Sequence, residues 1–188
     1  MLHADRELPG WFPEVNRNHL IWLMYTHEVK AVLEVGAFLG KSTVFFAQRC
    51  PQVYSVDYWS IDCLTSEDEK RFAQELGLPP DFQKIWWDNL YQTRANIGFS
   101  EAFGQVLAVK PDSVDQIWVE DKPYIDLVYI DGDHSYDAVM RDIERYGPLA
   151  RKIICGDDFG VAPGVTDAVQ ASFPDALKHA VPFWWVEL

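Results

Sequence analysis

Two short apolar runs, each ending in acids, constrain this chain most. Residues 127–136 read Leu-Val-Tyr-Ile-Asp-Gly-Asp-His-Ser-Tyr, and residues 153–159 read Ile-Ile-Cys-Gly-Asp-Asp-Phe. Both open as strand-forming stretches. Between them Tyr136, Val139, Met140, Ile143 and Tyr146 fall at helical spacing. Strand, helix and strand in that order make a parallel crossover unit. At least three carboxylates, drawn from Asp131, Asp133, Asp157 and Asp158, then converge at one sheet edge. Like charges about 4 Å apart repel by roughly 4 kcal/mol at an effective dielectric near 20. Neither run holds Lys or Arg, so a hard divalent cation with oxygen ligands is the attractive counter-charge.

The same alternation runs through the rest of the chain. Strands are expected at residues 31–35, 53–57, 105–109, 125–130, 153–156 and 183–186, with helices at 41–48, 113–117 and from 165. Strands alternating with helices predict a single α/β domain over residues 1–188. Its architecture is a Rossmann-like, doubly wound, mostly parallel sheet of six to seven strands, covered by helices on both faces. Residues 14–28 read as a helix within an N-terminal cap over residues 1–30. Residues 60–104 are polar at first, then carry Trp86, Trp87 and Tyr91 at roughly helical spacing, and are a candidate lid insertion or homodimer contact. Open sheets of this class bind ligands outside the carboxyl ends of their strands. The acids at positions 34, 57, 131, 157 and 158 fall at or just before such ends.

Composition narrows the partners. An apolar content of 48% excludes a disordered chain, and a net charge of −13 argues against nucleic acid or an anionic membrane surface. Cys50, Cys63 and Cys155 form no spaced pair, as expected of reduced thiols in a cytoplasmic protein. The N-terminus shows no basic region followed by an apolar one, and no apolar run approaches the ~20 residues of a membrane span. No signal peptide or span is expected.

The loop after the first strand, Glu-Val-Gly-Ala-Phe-Leu-Gly-Lys-Ser-Thr at residues 34–43, has three readings. A dinucleotide fingerprint would need a third glycine and a different spacing. A phosphate-binding P-loop, as in a nucleotide hydrolase, matches Gly40-Lys41-Ser42 but is one residue too short between its glycines. The third reading is the cofactor loop of a class I methyltransferase. There Gly36 and Gly40 let the backbone pass close to the ligand, and the helix start receives a carboxylate. Asp57 ends the second strand, where nucleotide-binding sheets place an acid on ribose hydroxyls.

The chain resembles the metal-dependent O-methyltransferases related to macrocin methyltransferase and the cephalosporin-hydroxylase-like group. Residues 33–43, 56–59, 112–113, 129–136, 141–142, 156–159 and 164–165 carry the resemblance. It implies S-adenosylmethionine as cofactor, a divalent cation, normally magnesium, and a hydroxyl of a small molecule as acceptor. Glu34, Gly36, Ala37, Gly40 and Ser42 would line the methionine end of the cofactor. Asp57 would hold the ribose with Trp59 nearby, and Ser113 would sit by the adenine. Asp131, also counted to the cofactor site, would ligate the metal with Asp157 and Asp158; Asp133 would be the general base, with His134 as second candidate. Plainer roles stand beside these. Asp133 and Ser113 suit helix caps, His134 suits a hydrogen-bonded structural group or substrate contact better than the base, and Trp184 and Trp185 suit the last strand's core and edge. A cofactor-binding module without turnover keeps the same residues.

Overall fold

The computed structural model describes residues 4–97, 102–113 and 125–188. Seven strands form one sheet: β1 Ala31–Val35, β2 Gln52–Val56, β3 Gln105–Val109, β4 Ile125–Ile130, β5 Ala150–Gly156, β6 Lys178–Ala180 and β7 Phe183–Glu187. Their spatial order is β3-β2-β1-β4-β5-β7-β6. The first five pair in parallel, while β7 runs antiparallel to both β5 and β6. Chain order reverses between β1 and β4, which makes that gap the switch point where such sheets bind ligands.

Successive side chains on a strand point to opposite faces. Val32, Leu127, Tyr129 and Ile153 therefore pack under α1 (Glu14–Thr26) and α2 (Lys41–Ala47). Leu33, Val35, Val128 and Ile154 pack under α5 (Tyr136–Tyr146) and α6 (Pro163–Ser172). With both faces covered, β1 and β4 are buried along their whole length, which is why their sequences are nearly continuous apolar runs. Trp184 is fully buried and Trp185 half-buried, as expected for core and edge.

Three elements differ from expectation. Residues 60–104 are no simple lid: α3 (Glu67–Glu75) buries only Ala73, but α4 (Gln83–Ile97) buries Trp86, Leu90, Thr93 and Ile97. Trp86 is therefore core and unavailable to a dimer contact. The fifth strand starts earlier than its apolar run, because Ala150 pairs with Ile125 before a register irregularity. The helix expected at 113–117 falls outside the described residues except for Ser113, which ends a 3-10 turn, Pro111–Ser113. No helix among the described residues is long and apolar enough to cross a membrane.

Candidate active site

Two turns meet over the switch point. Gly36 follows β1 at φ +87°, and a Cβ there would run into the Asp131 carbonyl oxygen. Only glycine lets the loops after β1 and β4 come this close. Gly40 serves packing instead. At φ +91°, its missing Cβ makes room for Leu90 Cδ1, which a Cβ would approach to 2.6 Å.

The two acids expected to hold the cofactor are largely committed to the protein. Glu34 is fully buried, and its Oε2 accepts from Thr43 Oγ1 at 2.6 Å and Ser55 Oγ at 2.8 Å. Burial pushes its carboxyl up to about 7, against the pull of these hydroxyls. Asp57 Oδ2 accepts from the backbone N–H groups of Ala37 at 2.9 Å and Phe38 at 2.8 Å, and Oδ1 from that of Trp59 at 2.7 Å. Burial raises the Asp57 pKa, and these backbone donors oppose the shift. Asp57 thus shapes the glycine loop as well as lining the space beside it.

The acids after β4 and β5 do converge. Asp131 Oδ2 accepts from Tyr129 Oη at 3.1 Å. Burial, then the nearby carboxylates of Asp157 and Asp158, hold the Asp131 pKa well above the usual range. Two adjacent strand residues would face opposite ways, but the chain leaves strand geometry here: Asp158 has φ +61° and donates its N–H to Asp157 Oδ1 at 2.7 Å. Asp158 Oδ2 lies 3.1 Å from His134 Nε2. Asp131, His134 and Asp158 each offer a ligand atom, all within 4.8 Å of one another. The expected metal set was Asp131, Asp157 and Asp158. Asp131 and Asp158 come together here with His134 beside them, and one Asp157 oxygen accepts the Asp158 N–H.

Two cavities open on this edge. Cavity one, about 540 Å³, is lined by Gly36, Asp57, Tyr58, Pro111, Asp133 and Arg141 among others. Its far wall is tied together by Arg145, which donates to Pro111 O at 2.9 Å, and by Tyr58 Oη, which donates to Asp112 Oδ1 at 3.2 Å. Cavity two, about 530 Å³, is lined by Trp11, Ala37, Ser42, His134, Asp157 and Asp158 among others. Both are lined by Gly36, Phe38, Glu69 and Asp131, and we call this shared border the neck.

Several expected residues sit elsewhere. Glu34 and Gly40 lie behind the loop, and Trp59 is fully buried against Trp86 at 4.9 Å between ring centroids. Its neighbour Tyr58 takes the place in the cavity wall. Ser113 is not on that wall; Pro111 is. Asp133, expected as base, lines cavity one, and its Oδ1 accepts from the Ser135 N–H at 2.8 Å. That hydrogen bond closes the turn before α5, whose N-cap is Ser135 with no side-chain cap. The P-loop reading also fails at Lys41, whose ammonium donates to Leu8 O at 2.7 Å. A phosphate loop would aim that group at its ligand.

A family model described as a methyltransferase domain matches residues 33–159, more than half of the chain. The chain belongs to this methyltransferase-domain family. The match begins in β1 and ends three residues past β5, so it holds all four neck residues. Solved structures match the whole methyltransferase fold. The cofactor-bound protein Rv0187 from MTB is 18% identical with a TM-score of 0.63, covering 100% of this chain and 86% of that one. TomG from Streptomyces achromogenes is 12% identical, with a TM-score of 0.61 and coverage of 100% and 85%. The O-methyltransferase from Bacillus cereus is 16% identical, with a TM-score of 0.56 and coverage of 99% and 86%. A comparison with curated protein sequences gave no match.

Sequence reasoning missed three residues of this methyltransferase site. Trp11 and Phe38 look like ordinary apolar residues until the fold puts both on cavity two. Glu69 carried a readable signal: with Ser66 it forms the Ser-x-x-Glu capping box that starts α3.

Proposed function

We propose that this domain transfers the methyl group of S-adenosylmethionine to a hydroxyl of a small molecule, with a divalent cation held at the acidic edge. The observation that carries this reading is the pair of neighbouring cavities over the β1–β4 switch point that share the four neck residues. One is bordered by the strand-end Asp57, the other by the acid cluster. Two of the similar solved structures are complexes, the Bacillus cereus O-methyltransferase with SAH and TomG with SAM, which supports the cofactor choice. The motifs quoted above favour the macrocin and cephalosporin-hydroxylase-like group within the family, and a sugar or hydroxylated natural product as acceptor.

The residues present suit both ligands. Asp57 lines cavity one, where a ribose hydroxyl would meet its carboxylate. The Asp131 and Asp158 carboxylates repel each other without a counter-charge, which suits a hard cation. When bound, that cation would hold the acceptor hydroxyl and lower its pKa. Trp11 and Phe38 offer aromatic surface for the body of the acceptor. His134, oriented by Asp158, takes the hydroxyl proton, and Asp158 stabilises the imidazolium. We prefer it to Asp133 because Asp133 lines the other cavity and is engaged by Ser135.

The test is thermal stability with S-adenosylhomocysteine, with ATP and with NAD, each in Mg²⁺ and in EDTA. A ligand that binds only the native state raises stability as its concentration exceeds its dissociation constant. Stabilisation by S-adenosylhomocysteine supports the reading, and stabilisation by Mg-ATP alone sinks it. For the base, His134→Ala should abolish turnover while leaving metal affinity nearly unchanged. A large loss of metal affinity would make His134 a ligand instead.

A further inference from the structure

We infer that Glu69 is the residue by which the site tells the charged cofactor from its neutral product. This rests on the cofactor reading above. If the adenosine occupies cavity one and the methyl acceptor cavity two, the transferred methyl must pass the neck, and the sulfur sits there. Among the described residues, only Gly36, Phe38, Glu69 and Asp131 line both cavities. Asp131 belongs to the floor and is engaged by Tyr129 and by the acid cluster. Glu69 reaches the neck from the opposite side, on α3.

Its position is built, not incidental. Glu69 is the third residue of α3, and its Oε2 accepts from the Ser66 N–H at 3.3 Å while its own N–H goes to Ser66 Oγ at 3.2 Å. One turn on, Phe72 shares its helix face. Phe72 packs on Trp11 at 4.8 Å and on Phe38 at 6.3 Å, ring to ring. The helix is thereby pinned to the glycine loop and to the N-terminal segment. The Glu69 carboxylate lies within electrostatic reach of His134 and Asp133, on the loop after β4, and of Asp57, on the loop after β2.

A sulfonium at the neck carries one positive charge, and loses it when the methyl leaves. Glu69 attracts the charged form and is indifferent to the thioether. The Phe38 ring in the same neck favours a cation as well. The consequence is tighter binding before transfer and easier release of the product after it.

Isothermal titration of the whole chain with S-adenosylmethionine and with S-adenosylhomocysteine tests this without any methyl acceptor. Glu69→Gln keeps an acceptor for the Ser66 N–H and so keeps the capping box. It should weaken S-adenosylmethionine about tenfold, the scale of one charge pair in a partly solvated site, with S-adenosylhomocysteine affinity within twofold of the parent. Ser66→Ala keeps the charge, loosens the cap and should leave the ratio of the two affinities unchanged. Equal losses for both ligands in Glu69→Gln, or no loss for either, overturn the assignment. If the unaltered protein binds neither ligand, the cofactor reading fails first and this one with it.

Discussion

The two ends of β4 carry the same residue type in opposite circumstances. Asp126, at the start of the strand, is completely buried and paired with a cation. Its Oδ2 accepts from the N–H groups of Lys30 at 2.7 Å and Ala31 at 3.2 Å, and Lys152 Nζ lies 2.9 Å from Oδ1. Lys152 also donates to the carbonyls of His27 and Glu28, which ties α1's exit to β5. Asp131, just past the other end, has a tyrosine hydroxyl and two more carboxylates for company. One end of the strand spends its charge on holding elements together. The other stores unbalanced charge, which a fold tolerates where a ligand supplies the missing cation.

This contrast is open to measurement. The largest effect should come from Lys152→Met, which leaves Asp126 buried without its cation. Breaking one partner of a buried pair costs about 4 kcal/mol, read as a lower urea midpoint. A loss under about 1 kcal/mol would mean that the bottom end is no better paired than a surface bridge.

Next comes Glu34, an acid with hydroxyl partners but no cation. Its folded pKa, about 7, lies above the ordinary value of 4.5, so the native state binds more protons between those pH values. Stability from this group is present at low pH and is lost as pH rises through about 7, by up to about 3 kcal/mol. Glu34→Gln should flatten that slope in urea titrations across the window. An unchanged slope would assign it to other acids.

At the top end the sign should reverse. Asp131→Asn removes one charge from the cluster yet keeps an oxygen for Tyr129. In EDTA it should gain about 1–2 kcal/mol and lose any stabilisation by Mg²⁺. Destabilisation in EDTA would show that the cluster is not strained by its own charge.

The smallest effect is local. Ser66→Ala should loosen α3 by about 1 kcal/mol, visible as faster hydrogen exchange confined to residues 67–75, with β4 protection unchanged. Slower or global exchange would mean that the roof over the acid end is held by something other than its cap.

Much of this was readable along the chain. The strands at 31–35, 105–109 and 125–130 match β1, β3 and β4 as expected; β1 and β4 are readable because a strand buried on both faces writes itself as a nearly continuous apolar run. The acids at 131, 157 and 158 were placed at strand ends, and the glycine at 36 at a tight turn, from spacing alone. The start of β5 was not readable. Ala150, Arg151 and Lys152 carry little strand signal, and they extend the strand only because β4 lies alongside. Trp59 looked like a site residue and became core once α4 brought Trp86 against it.

What the sequence by itself determined is the alternation of strands and helices, the sheet edge at which acids gather, and the loop where only glycine fits. Periodicity, glycine and charge are properties of neighbours in the chain, so they survive without a fold. What only the tertiary structure decided is which group answers which. Asp57 turned to the N–H groups of the glycine loop, Glu34 to two hydroxyls behind it, His134 to Asp158, and Glu69 came over the neck from α3. Hydrogen bonds and ion pairs act over about 3 Å. The groups that come within that distance are set by how separate elements pack.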